Sequence, residues 1–342
     1  MEVNYGILSV IPPLVAIILC FATQQALISM FAGLFVGALI ICNYNPLSAV
    51  AYSLDSIAAN MTENIILLLF TLFMGVGIAF IWRLGGSFAL ANAAKRRFKK
   101  RRSVCLGAWG LGMCCSVNDC LVSAVDGNVF RDICKEYRIS SEKFAYVLDA
   151  TGAPSAALFI SDWIAYQISM IGQGLAAAGI TSITPVAAYI SGLPFNMYSI
   201  FTLLFCGLLM YTGRDYGPML KAEARALQTG QYIRPEAKAM MDLNNELGEA
   251  KMTRPLVRCF VLPILVAFVI IIAGIFYTGL TNPALAGNDI MSILNACDAT
   301  LALYWGSFGM AATGIILALT TKIMTFEETM NTIVDGFKLM AM

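Results

Sequence analysis

Apolar runs long enough to cross a lipid bilayer recur along this chain, at about residues 7–23, 26–42, 65–82, 198–211, 256–278 and 301–321. About 20 such residues span the hydrocarbon as a helix. Lipid offers the backbone no hydrogen bonds, so a segment that crosses it must satisfy its own amides and carbonyls. Hydrophobic residues make up 59% of the chain and charged ones 13%, with a mean hydropathy of +0.75, well beyond a soluble domain. The expected fold class is an all-α polytopic membrane protein.

Within this apolar background stand Asp119, Asp126, Asp149 and Asp162. A carboxylate at the centre of a spanning helix costs on the order of 2.5–3.5 kcal/mol on insertion scales, so such groups face a cavity, a partner or an ion path. Ser116, Asp119, Ser123 and Asp126 recur every three or four residues and fall within about a quarter of a helix circumference, opposite Val117, Leu121, Ala124 and Val125. Ser155, Asp162, Tyr166, Ser169 and Gln173 form a second polar stripe, opposite Ile160, Ile164, Ile168 and Ile171. Carboxylate and hydroxyl oxygens suit a hard cation such as Na⁺. Asp149 precedes Thr151, Gly152 and Pro154, a combination that predicts an opening in the helix with free carbonyls beside the carboxylate. Asp126, followed by Gly127 and close to Arg131, also reads as a turn residue. Asp132 with Lys135, and Glu136 with Arg138, read as surface pairs.

Several chemistries are excluded or disfavoured. The chain has no histidine, which removes a Ser/His/Asp hydrolase and any histidine proton relay. Its ten cysteines lie mostly in apolar segments and read as packing; Cys114, Cys115 and Cys120 form no CxxC pair, so no metal site is expected. The GxGD signature of an intramembrane aspartyl protease is absent around Asp119 and Asp149. A net charge of +1 gives no case for a nucleic-acid partner, and the basic run at 95–102 abuts apolar segments as a topology determinant does. No enzyme activity and no cofactor are expected, only transported ions.

Lys and Arg are absent from 43–64, 173–197 and 280–300, which predicts those loops outside; 95–102, 131–143 and 213–255 are predicted cytoplasmic. Segments 47–60, 104–125 and 144–172 are too short, too polar or too interrupted for simple spans and read as broken or re-entrant helices. A small-residue span followed by an aspartate-bearing amphipathic piece occurs at 26–57 (GLFVGALI, then SLDSI) and again at 302–337 (GMAATGII, then IVDGF). The charge rule gives the copies opposite topology, as in the inverted repeats of secondary transporters. The expected organisation is a first transmembrane repeat at 1–212 with ion-site helices at about 104–173, a cytoplasmic helical linker at 213–255, and the start of a second repeat at 256–342. The second copy stops soon after its amphipathic piece. The expectation is therefore a truncated chain, or a second polypeptide or homo-oligomer that supplies the rest; a non-transporting membrane scaffold is the remaining alternative.

Asn118-Asp119, the string KEYRISSEKFAYVLDATGAP at 135–154 and DYGPMLKAEARALQTG at 215–230 resemble the NhaC-type Na⁺/H⁺ antiporters. The resemblance implies an ion transporter superfamily fold with inverted repeats that exchanges Na⁺ for H⁺ across a bacterial plasma membrane. It puts functional weight on Asp119 and Asp149, with Ser116, Ser123, Thr151 and Ser155 as neighbours. The family tends to carry an acidic pair where this chain has Asn118-Asp119, and a Ser where it has Asp162, as if one carboxylate had moved to the neighbouring helix. Related members exchange organic acids, which keeps a lactate- or dicarboxylate-type exchanger coupled to Na⁺ or H⁺ as the alternative.

Overall fold

The computed structural model describes residues 5–114, 122, 126–158, 161–180, 183–234, 256–283, 287 and 290–341. All regular structure among these residues is helical. The chain divides into two compact units, Met1–Leu68 and Leu69–Met342.

The first unit holds α1 (Ile11–Thr23), α2 (Ala26–Ile41) and α3 (Pro46–Glu63). Pro12 and Pro13 open α1, where the missing amide protons cost nothing. Asn45 caps α3 by accepting from the amides of Leu47 (3.1 Å) and Ser48 (3.4 Å), with Pro46 in the first turn. The segment at 47–60, expected as a broken or re-entrant helix, is not broken: it lies within one uninterrupted helix.

The second unit begins within α4 (Ile65–Arg83), followed by α5 (Gly86–Arg97), α6 (Arg101–Cys114), α7 (Gly127–Glu136), α8 (Ser141–Ala156) and α9 (Asp162–Ala177). After these come α10 (Pro185–Gly192), α11 (Met197–Thr212), α12 (Gly217–Thr229), α13 (Arg258–Thr281), α14 (Ile290–Ala296), α15 (Ala299–Thr321) and α16 (Phe326–Ala341). Among the described residues, Gly6–Thr23, Ile65–Arg83, Arg258–Thr281 and Ala299–Thr321 are long and apolar enough to cross a membrane. Pro185–Phe195 and Met197–Thr229 form a further pair bent by 47°.

A core of Val76 and Phe80 from α4, Leu84 just after it, Cys259 from α13, and Ala311, Leu317 and Ala318 from α15 holds this unit together. Helices in lipid gain little from hydrophobic transfer between neighbours and rely on close packing of small residues. At the crossing of α4 and α16 a methyl group on Gly75 would overlap the carbonyl of Gly336. Arg83, at the end of α4, donates to Asp335 (2.8 Å) and Thr332 (3.1 Å) of α16 beside that crossing.

The interruption expected near Gly152 and Pro154 falls later in the chain. α8 continues through Pro154 and ends at Ala156, and α9 starts at Asp162. The carbonyls freed at that end are occupied: Ser161 Oγ donates to Ala156 O, and Tyr189 donates to Ala157 O at 2.7 Å. Ser161 also caps α9 by accepting from the Ile164 amide at 3.3 Å. Of the expected surface pairs, Glu136 instead lies 3.6 Å from Lys95, while Arg138 donates to the Leu227 carbonyl.

Candidate ion site

α6 presents Val104, Cys105, Ala108 and Gly112 as a buried face, and α8 answers with Phe144, Val147, Ala150, Thr151, Pro154 and Ser155. The two helices approach closely where Gly112 meets Thr151. A methyl group on Gly112 would overlap Thr151 Oγ1 and would stand 3.3 Å from Asp126 Oδ2. The glycine therefore leaves one small space that both oxygens border.

Asp126 precedes α7 with helical backbone angles (φ −65°, ψ −39°) and does not cap it through its side chain. The residue is fully buried, and neither carboxylate oxygen has a hydrogen-bond partner among the described residues. The turn reading of this residue is corrected accordingly: its backbone is already helical, and its side chain points into protein. An unpartnered buried polar group is costly, and for a charge the cost is far larger. Thr151 Oγ1 donates to the Val147 carbonyl at 2.7 Å, which leaves its lone pairs able to accept or to ligate. Ser155 Oγ, one turn on, donates to the Thr151 carbonyl.

The remaining sequence candidates separate. Asn118, Asp119, Ser116 and Ser123 lie outside the described residues, and Asp162 heads α9 with its side chain outside them too. Asp149 is exposed on α8, between Ala145 and Ala153 on the face away from Thr151. On α9, Tyr166 and Gln173 are exposed, whereas Ile164 and Ile168 border a cavity of about 820 Å³. Leu158, Ser161, Tyr189, Phe268 and Leu303 also line that mostly apolar space. Among the described residues no cluster of three His, Cys, Asp or Glu side chains is arranged to hold a metal.

Gly112 is the site residue that sequence reasoning passed over. Its signal was the glycine density of Gly107, Gly110 and Gly112, unusual on a helix that is otherwise apolar. The buried charges at the other end of α6 and α8 were also missed. Lys143 lies 2.8 Å from Asp215 and 3.6 Å from Glu223. The segment 213–255 reads as a solvated linker, yet within it Ala222, Glu223 and Ala226 form a buried face of α12.

The long apolar helices define a helical multi-pass membrane protein. The Na⁺/H⁺ antiporter family profile matches residues 156–342, more than half of the chain, and the chain belongs to that family. An uncharacterised protein of Haemophilus influenzae is 28% identical over 350 residues, an alignment covering 99% of this chain and 65% of the relative. The chain thus spans about two thirds of that relative's length. Gly112, Asp126 and Thr151 precede the segment that the family profile matches. No solved structure matches the chain.

Proposed function

We propose that the protein exchanges Na⁺ for H⁺ across a bacterial plasma membrane, with Asp126 binding the two ions in turn. The observation that carries this reading is the buried, unpartnered carboxylate of Asp126 beside the Thr151 hydroxyl. A bare anion is unstable in such surroundings, so the group holds either a proton or a cation. Oxygen ligands favour a hard cation, and exclusive occupancy couples the two fluxes. Asp119 and Asp149 are proposed as further carboxylates on the ion path, with Asn118, Ser116, Ser123, Ser155 and Asp162 nearby in the chain. Rocking of inverted repeats against one another in the lipid bilayer is the proposed means of alternating access. The reading needs no cofactor.

A second reading, exchange of an organic acid coupled to Na⁺ or H⁺, draws on the 820 Å³ cavity, which is larger than a bare cation needs. Against it, no Lys or Arg lines that cavity among the described residues. Everted membrane vesicles carrying an imposed pH gradient decide between the two. Dissipation on adding Na⁺, lost in Asp126→Asn, supports cation exchange; dissipation that requires lactate or a dicarboxylate supports the alternative. Wild-type Na⁺ exchange in Asp126→Asn removes that residue from the mechanism.

A further inference from the structure

At the end of α6 and α8 remote from Thr151, four elements enclose a polar cavity of about 220 Å³. Arg101 and Arg102 of α6, Lys143 of α8, Asp215 and Glu223 line it together with Cys105. Lys143 and Glu223 are each only 4% exposed. Burying charges to this extent is tolerated where each has partners, and here each does. Lys143 holds Asp215 at 2.8 Å and Glu223 at 3.6 Å.

Glu223 has the central position. One of its oxygens accepts from Arg101, the first residue of α6, at 2.5 Å. The other accepts from the backbone amide of Ser140, the residue that caps α8, at 2.7 Å. One carboxylate on α12 therefore ties together the starting ends of the two helices whose close approach frames Asp126. The distances along the chain are matched: Gly112 is eleven residues beyond Arg101, and Thr151 is eleven beyond Ser140. At about 1.5 Å per residue, each arm rises roughly 16 Å from the carboxylate to the site. A slip of either helix at Glu223 is carried along a stiff arm to the Gly112–Thr151 contact.

We propose that Glu223 is a positioning residue for the ion site: it sets the register of α6 against α8 and so the spacing of Thr151 from Asp126. This rests on the ion-exchange reading above. Through it, the segment after α11, which carries both Asp215 and Glu223, bears on the affinity of a site it does not touch. A mere anchor for α12 would affect stability; a register device also changes how tightly the site binds its cation.

The test uses the full chain in everted vesicles, with Na⁺ titrated against the rate of pH-gradient dissipation. Alkylation of the buried Cys105, read by mass spectrometry, reports separately on opening of the network. Glu223→Gln keeps an acceptor for Ser140 but loses the charge that Arg101 requires. It is expected to raise the Na⁺ concentration for half-maximal rate about tenfold, the scale on which sub-ångström to ångström misplacement acts, while the maximal rate changes less. Cys105 labelling is expected to rise in parallel. Arg225→Gln, which loosens α12 at its surface, is the control and keeps wild-type Na⁺ dependence. If Cys105 opens in Glu223→Gln while the Na⁺ dependence stays wild type, Glu223 only anchors α12 and the proposal fails. Unchanged labelling together with unchanged Na⁺ dependence also overturns it. A wild type without any Na⁺-dependent exchange sinks the functional reading and this inference together, whereas a working wild type beside an unaffected variant sinks this inference alone.

Discussion

Asp126 and Glu223 are two carboxylates buried almost equally, at 0% and 4% exposure, along the same pair of helices, and the fold treats them in opposite ways. Glu223 accepts from Arg101 and Ser140 and lies near Lys143, whereas Asp126 accepts from nothing among the described residues. A paired buried charge gives up its freedom to bind anything else and fixes geometry. An unpartnered one retains full appetite for a proton or a cation, at a cost to the fold. The same residue chemistry thus serves position at one end and exchange at the other, and the surrounding partners make the distinction.

Substitutions sharpen this contrast. The largest effect on stability is expected at the paired end. Lys143→Met leaves Asp215 and Glu223 buried with one cation fewer and should cost about 3–5 kcal/mol, the usual penalty for breaking a buried pair. Denaturation of the purified protein in detergent measures it. An unchanged midpoint would mean that the network is not the clamp described here.

Asp126→Leu is expected to do the reverse. Removing an unsatisfied buried carboxyl should stabilise the fold by about 1–3 kcal/mol, read as a higher unfolding temperature, while Na⁺-dependent exchange disappears. A variant less stable than wild type would show that Asp126 has partners in the folded protein. Thr151→Val keeps the shape and removes the hydroxyl. Its stability loss should stay near 1 kcal/mol because only the hydroxyl's shared bond to the Val147 and Leu148 carbonyls is lost, yet the apparent Na⁺ affinity should fall. Equal Na⁺ affinity in Thr151→Val would remove the hydroxyl from the site.

The smallest effect belongs to the rim of the clamp, where Arg225 donates to both oxygens of Glu142 at 2.9 and 2.8 Å. Burial works against ionisation of Glu142, but the hydrogen bond from Arg225, one from its own backbone amide, the Arg225 charge and the Ser141 hydroxyl together outweigh it and hold the carboxyl below its ordinary value of 4.5. A depressed carboxylate contributes stability above its unfolded value and loses it as the pH falls through its folded one. The pair is partly exposed and is expected to contribute under about 1 kcal/mol. Unfolding temperatures of wild type and Arg225→Gln should therefore differ slightly at pH 6 and converge under strong acid; a gap that persists there would locate the contribution elsewhere.

Much of the helical layout was legible in the sequence. The apolar runs at 65–82, 256–278 and 301–321 became α4, α13 and α15, because the length of an apolar stretch is a local property of the chain. The interruption between 144 and 172 was also legible, but its position was not. Pro154 suggested a break at itself, whereas the helix absorbed it and ended two residues later, where Ser161 and Tyr189 supply partners for the freed carbonyls. Those partners come from α9's cap and from α10, and no local rule announces them. Pairing of Glu136 with Lys95 instead of nearby Arg138 has the same cause.

The sequence by itself determined that this chain is helical, that it enters a membrane, and that aspartates stand within its apolar stretches, since each of these follows from composition and spacing along a few turns. Tertiary structure alone decided which carboxylates are satisfied. Arg101 and Glu223 are 122 residues apart, and Gly112 meets Thr151 only after α6 has packed on α8. A carboxylate's chemistry depends on the donors within about 3 Å of it, and in this protein those donors come from distant parts of the chain or, at Asp126, from none of the described residues.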